Sequence, residues 1–183
     1  MDTVSSSSME NFTNVAIDTA ALPRFEDVRL TKLHPNYYKV ILLNTAITFV
    51  ILGALGVGGV LLIDELQVYW WVVAVLWAVL LVFSLIVSTI SFRNRGFAFR
   101  THDALYKSGA ISISTTIIPY TRVQHVALNE GLIARWFGLA AIEIFTAGGK
   151  QSDIEIKGLE KEHAEKIKQL LMGKILERDT DEQ

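Results

Sequence analysis

Apolar and polar positions follow two different rhythms in this chain. Val40–Ile63 runs 24 residues without a charge and Val68–Phe92 another 25, with only Asp64, Glu65, Leu66 and Gln67 between them. At a rise of about 1.5 Å per residue each run reaches roughly 36 Å, enough to cross a hydrocarbon layer of about 30 Å with some tilt. The pattern predicts a two-helix transmembrane hairpin over 40–92, with spans 40–63 and 68–92. Ahead of it, residues 1–21 include Ser5–Ser8, show no sustained period, and read as a disordered tail. Residues 22–39 differ: Leu22, Phe25, Val28, Leu30 and Leu33 alternate loosely with charges until His34–Pro35 breaks the segment. Two readings stand for it, a strand or arm lying along a soluble domain and a plain juxtamembrane linker.

After Arg93 the rhythm changes to period two. Gly96–Arg100 and Ala104–Ser108 read as strands around a Thr101–Asp103 turn. In Ala110–Ile118, Ile111, Ile113, Thr115 and Ile117 alternate with Ser112, Ser114 and Thr116, which predicts a half-buried strand with the isoleucines inward. Pro119 ends it. Val123–Leu128 follows, then a Gly131–Gly138 connection, a strand over Ala140–Thr146, a Gly148–Gly149 turn and a strand over Ser152–Lys157. Beyond Gly158 the spacing of Ala164, Ile167, Leu170, Leu171 and Ile175 predicts one amphipathic helix with that face on a sheet. The expected fold is a membrane α-hairpin plus a small α+β or all-β domain, 93–178. In it a bent antiparallel sheet of about seven strands is capped by the C-terminal helix, and 179–183 fray.

Charge fixes the expected orientation. Arg29, Lys32 and Lys39 precede the hairpin and Arg93, Arg95 and Arg100 follow it, whereas the loop between the spans has two acids and no base. By the positive-inside rule both termini face the cytoplasm of a bacterial inner membrane. Tyr69, Trp70 and Trp71 mark the outer interface, and Tyr37, Tyr38 and Phe92 the inner one. Residues 1–20 lack the basic start and apolar stretch of a cleavable signal. Ala54 with Gly58, and Ala74 with Ala78, are small residues four apart, suited to close packing within the hairpin or, less simply, in a homo-oligomer.

The run Thr101-His102-Asp103-Ala104-Leu105, then Gly109, Ile118-Pro119-Tyr120-Thr121-Arg122-Val123-Gln124, Gly138-Leu139, Ile144-Phe145-Thr146-Ala147-Gly148 and Gly158-Leu159 resembles the bacterial pleckstrin-homology-like domain. It is most similar to the short, membrane-flanked members, whose two-helix hairpin and Leu22-Pro23…His34-Pro35 lead-in it shares. The resemblance covers about 93–176 and implies a bent seven-stranded sheet with a C-terminal helix. It also implies a membrane-protein partner, such as a larger relative with several of these domains.

Candidate chemistry is sparse. With no Cys there is no disulfide, thiolate nucleophile or Cys-based metal site. The four His residues, 34, 102, 125 and 163, are scattered, and no metal-ligand spacing or phosphate loop accompanies them. His125 and Glu143 are explained as a semi-buried and a solvated strand residue. The reading is of a non-enzymatic protein with no cofactor. Residues 93–183 hold 13 Lys/Arg against 12 Asp/Glu, so no basic field for nucleic acid is present. Arg93, Arg95, Arg100 and Lys107 are the candidate lipid contacts. Arg135 and Trp136 are the candidate partner contacts, since Arg beside aromatics is favoured at interfaces, unless the loop tucks Trp136 or Phe137 under the sheet. The chain reads as a scaffold or assembly subunit presenting its domain at the cytoplasmic face, with a lipid-sensing or lipid-binding module as the alternative.

Overall fold

A long apolar segment with no charged side chains, placed in a membrane, satisfies its backbone only within itself, and a helix does so residue by residue. In a computed structural model, which describes residues 28–147 and 153–181 with side chains through Glu177, the two apolar runs are accordingly helical. Helix α1 (Asn36–Leu62) and helix α3 (Trp70–Asn94) are joined by a single turn, α2 (Asp64–Gln67). Their most apolar stretches have mean hydropathies of 2.3 and 2.7 and stay almost wholly uncovered by the rest of the protein. Both are long and apolar enough to cross a membrane. The expected tail 1–21, the start of the lead-in, the Gly148–Gly149 turn, Ser152 and the last two residues lie outside the described residues.

The helices meet through different small residues from those expected. Gly58 faces open space, while Gly53 and Gly56 face Trp77 and Val73. The reason is the size of Trp77. Its indole lies where Gly53 has no side chain, donates a hydrogen bond of 3.0 Å to the Phe49 carbonyl, and meets the Phe49 ring edge-on at 5.9 Å. Nearer the other end the Tyr38 hydroxyl is 3.0 Å from the Thr89 hydroxyl. Since Thr89 already donates to the Leu85 carbonyl, Tyr38 is the donor.

The domain that follows contains β1 (Gly96–Phe99), β2 (Asp103–Ser108), β3 (Ser114–Pro119), β4 (Val123–Asn129), α4 (Leu132–Trp136), β5 (Leu139–Thr146), β6 (Ile154–Glu160) and α5 (Lys161–Asp181). Among the described residues six strands form two antiparallel sheets, β1-β2-β3 and β4-β5-β6, in place of one bent sheet of about seven. Pro119 has no N–H to extend the first ladder. After it, a 3-10 turn (Tyr120–Arg122) with a buried tyrosine takes the chain round a corner into the second sheet.

The lead-in is an arm on the domain. Thr31 and Phe97 exchange backbone hydrogen bonds of 2.8 and 3.0 Å, which adds one antiparallel bridge beside β1.

Ile142, Ile144, Ile154, Ile156, Leu139 and Val123 fill the core and α5 covers it with Ala164, Ile167, Leu171 and Ile175. Leu170, expected on that face, is 49% exposed. A helix turns about 100° per residue, so Leu170 falls to the flank of the line running through Leu171. His125 also departs from expectation. A bulge between Val123 and His125 shifts the phase of β4, so Val123 and Val126 point inward and His125 is exposed, stacked on Phe145 at 4.1 Å. Ile111, Ile113 and Ile117, expected inward, are exposed. Ile111 and Ile113 belong to the β2–β3 turn. Ile117 pairs with buried Leu105, but among the described residues it stands on an edge strand with no neighbour on one side.

Candidate functional site

The strand directions place particular residues at the end of the domain nearest the helices. β1 starts two residues beyond the Asn94 end of α3, so the start of β1, the end of β2 and the start of β3 share that end. In the second sheet the same end holds the finish of β6, because the His34 N–H donates to the Gly158 carbonyl at 3.0 Å. With it go the start of β5 and the finish of β4, and hence α4 between them.

This end is clamped to the hairpin. Leu33 and Tyr37 are buried, and the Tyr37 ring lies directly on Gly158. Gly158 has φ +75°, and a Cβ there would overlap the ring, so only glycine admits this contact. Arg95 donates to the Tyr37 hydroxyl at 3.2 Å and its guanidinium lies 6.0 Å from the ring centre. The Lys32 ammonium donates to the Arg93 carbonyl at 2.8 Å, and the Asn94 amide to the Gly109 carbonyl at 3.3 Å. Gly109, with φ +129°, lets the β2–β3 turn close against Ser112, where a Cβ would collide.

The four basic residues read as lipid contacts are therefore separated. Arg93 and Lys107 lie at the helix-proximal end, with Arg93 exposed and Lys107 half-buried. Arg95 is half-buried in the clamp, and its Nε is enclosed with no hydrogen-bond partner among the described residues. Arg100 lies at the opposite end of the sheet, paired with both carboxylate oxygens of Asp103. That hydrogen bond, with the carboxylate charge behind it, raises the Arg100 pKa above its ordinary value. Beside them Tyr120 donates to the Arg100 carbonyl at 2.7 Å. Burial, and then the Asp103 charge, pushes the Tyr120 hydroxyl above the usual tyrosine value. Burial likewise raises Tyr106, against the lowering influence of Arg95.

Arg135 and Trp136, read as partner contacts, are both exposed on α4, Trp136 to 79%. Phe137 is the residue that packs against the core. Leu132, one turn before Trp136, is 80% exposed, and Ile111 in the β2–β3 turn is 88% exposed. The sequence pattern passed over Leu132 and placed Ile111 on the inward face of a strand. The available signals were the glycine before each of their turns, Gly131 and Gly109, which take both residues out of strand alternation.

A groove of about 540 Å³ lies between the base of α1, α4 and the outer side of β5 and β6. Val40, Asn44 and Leu132 give it apolar and amide walls, and Glu143, Glu155 and Lys157 line its floor. The carboxylates are engaged: Glu143 accepts from Asn129 at 2.8 Å and Glu155 pairs with Lys157 at 2.9 Å. Among the described residues no three acids or histidines converge on a metal site. Outside the groove Lys161 pairs with Glu130 at 2.8 Å, which raises the lysine pKa.

The family model for the bacterial PH domain matches residues 38–175. The UPF0699 transmembrane protein YdbS of Bacillus subtilis (strain 168) is 31% identical over 103 residues, which cover 54% of this chain and 63% of that protein. The match thus spans less than two thirds of the relative's length. No solved structure matches the chain.

Proposed function

The chain belongs to the bacterial PH domain family, and from that membership we propose that it is a non-enzymatic membrane subunit holding its PH module in a fixed pose for assembly with a protein partner. The hairpin spans the cell membrane with both termini in the cytoplasm. The support is the six bases on either side of the two apolar runs against the two acids of the connecting turn.

The observation that carries the assembly reading is the clamp. Thr31 on β1, His34 on Gly158 and Tyr37 under Arg95 bind the module to the helices from both sheets. A module tied at both sheets presents its surfaces at a set height and angle, which suits a docking platform. The basic residues that a head-group site would require are divided between the clamp and the far end of the sheet. The partner face is the outer edge of β3. Among the described residues β3 pairs only with β2, so its other edge offers free backbone donors and acceptors beside exposed Ile117. An extended segment of a partner adds to such an edge as a further strand. The partner is a membrane protein, and a larger relative with several such modules meets the requirement.

The test is affinity capture of the full-length chain from native membranes in mild detergent, comparing wild type with Ile117→Lys. A charge on the edge should lower recovery of the partner about tenfold or more, as expected when a contact worth over ~1.4 kcal/mol is lost, while leaving membrane insertion unchanged. Equal recovery by both proteins would remove β3 as the partner face. The second reading, a lipid-handling module, draws on the groove beside Val40 and Asn44. Head-group-selective liposome binding that persists at high salt would favour it.

A further inference from the structure

We propose that the bilayer itself covers two apolar prongs of the PH module, Leu132 with Trp136 on α4 and Ile111 with Ile113 in the β2–β3 turn, so that the module is seated in the head-group boundary as well as tethered to it. This rests on the hairpin insertion proposed above. Leu132 and Trp136 are four residues apart on one helical turn and therefore share a face. They are 80% and 79% exposed, and Ile111 and Ile113 are 88% and 52% exposed. Four large apolar side chains exposed at two sites call for a cover, since apolar surface left in water forgoes the gain of burial.

Their height identifies the cover. The groove that Leu132 lines is also lined by Val40, the first residue of the apolar run of α1, and by Asn44, one turn further on. The β2–β3 turn is held by Asn94, two residues beyond Phe92, where the apolar run of α3 ends. Both prongs thus lie level with the ends of the spanning helices. They come from different sheets, and what they share is that level, which is the plane of the membrane surface. Their chemistry suits that plane. Trp is favoured at the head-group boundary, and Arg135 beside Trp136, with Lys39 and Arg93 at the helix ends, meets lipid phosphate.

The experiment uses the full chain, which has no Cys of its own, reconstituted in nanodiscs of zwitterionic and anionic phospholipid. Leu132→Cys and Ile111→Cys each carry a nitroxide, with Leu80→Cys in α3 and His102→Cys in the far turn as references. Collision of the label with oxygen is compared with collision with a water-soluble nickel chelate. At Leu132 and Ile111 the ratio of oxygen to nickel collisions should exceed that at His102 several-fold and fall below that at Leu80. Values equal to His102, with Leu80 reading as lipid-buried, would overturn the seating and leave the hairpin intact. Labels shielded from both reagents would overturn it in favour of a protein cover such as a second copy. An aqueous reading at Leu80 would overturn the hairpin reading and the seating together.

Discussion

Gly158, Tyr37 and Arg95 show how much of this molecule turns on single side chains. A left-handed glycine lets an aromatic ring approach the backbone of β6, and the hydroxyl of that ring accepts from Arg95. Tyr106 lies nearby and Tyr120 at the far end of the same sheet, and burial raises both hydroxyls above their ordinary value of 10.0. A raised acid holds its proton in the folded protein at a pH where the unfolded chain releases it. The stability it lends is therefore complete below pH 10 and lost as pH rises from there through the folded value. Thermal unfolding of the full chain in detergent, followed by circular dichroism, should show a falling midpoint above about pH 10. Tyr106→Phe should flatten that fall, and an unchanged slope would place the alkaline sensitivity elsewhere.

At the scale of elements, α5 and β4 show how phase decides burial. Leu170 and Leu171 are equally apolar neighbours, yet Leu171 is 1% exposed and Leu170 49%. Leu171→Ala should cost about 2–5 kcal/mol in urea unfolding of the reconstituted protein. Leu170→Ala, like Lys168→Ala on the exposed side, should stay within about 0.5 kcal/mol of wild type. Equal losses at 170 and 171 would mean that α5 is rotated from the pose described. In β4 one bulge does to His125 what one helical step does to Leu170. A strand has period two, so a single extra residue exchanges its faces. Neither effect is visible in a count of apolar residues.

For the whole molecule, topology is the property on which the rest depends. A Cys at Glu65, in the turn between the spans, should react with an impermeant maleimide in intact cells. A Cys at Glu165, exposed on α5, should react only after lysis. The reverse pattern would put the module outside the cell and end the assembly reading in its present form.

The sequence by itself determined what depends on neighbours along the chain. The two helices, the turn between them, the strands of the domain, its last helix and the bacterial PH family were all legible, because hydropathy and period are local. The lead-in arm was legible only as one of two readings, since its partners, Phe97 and Gly158, are more than 60 residues away. Tertiary structure alone decided the division into two sheets, the choice of Gly53 over Gly58 beneath Trp77, the outward face of Ile117, and the scatter of Arg93, Arg95, Arg100 and Lys107. It also brought Leu132 out of a plain connection, and Ile111 out of an expected inward-facing strand, to the level of the helix ends. The physical reason is common to all of them. Whether an apolar side chain is buried, or a charge free, depends on which distant surface arrives beside it, and packing sets that only when the whole chain has closed.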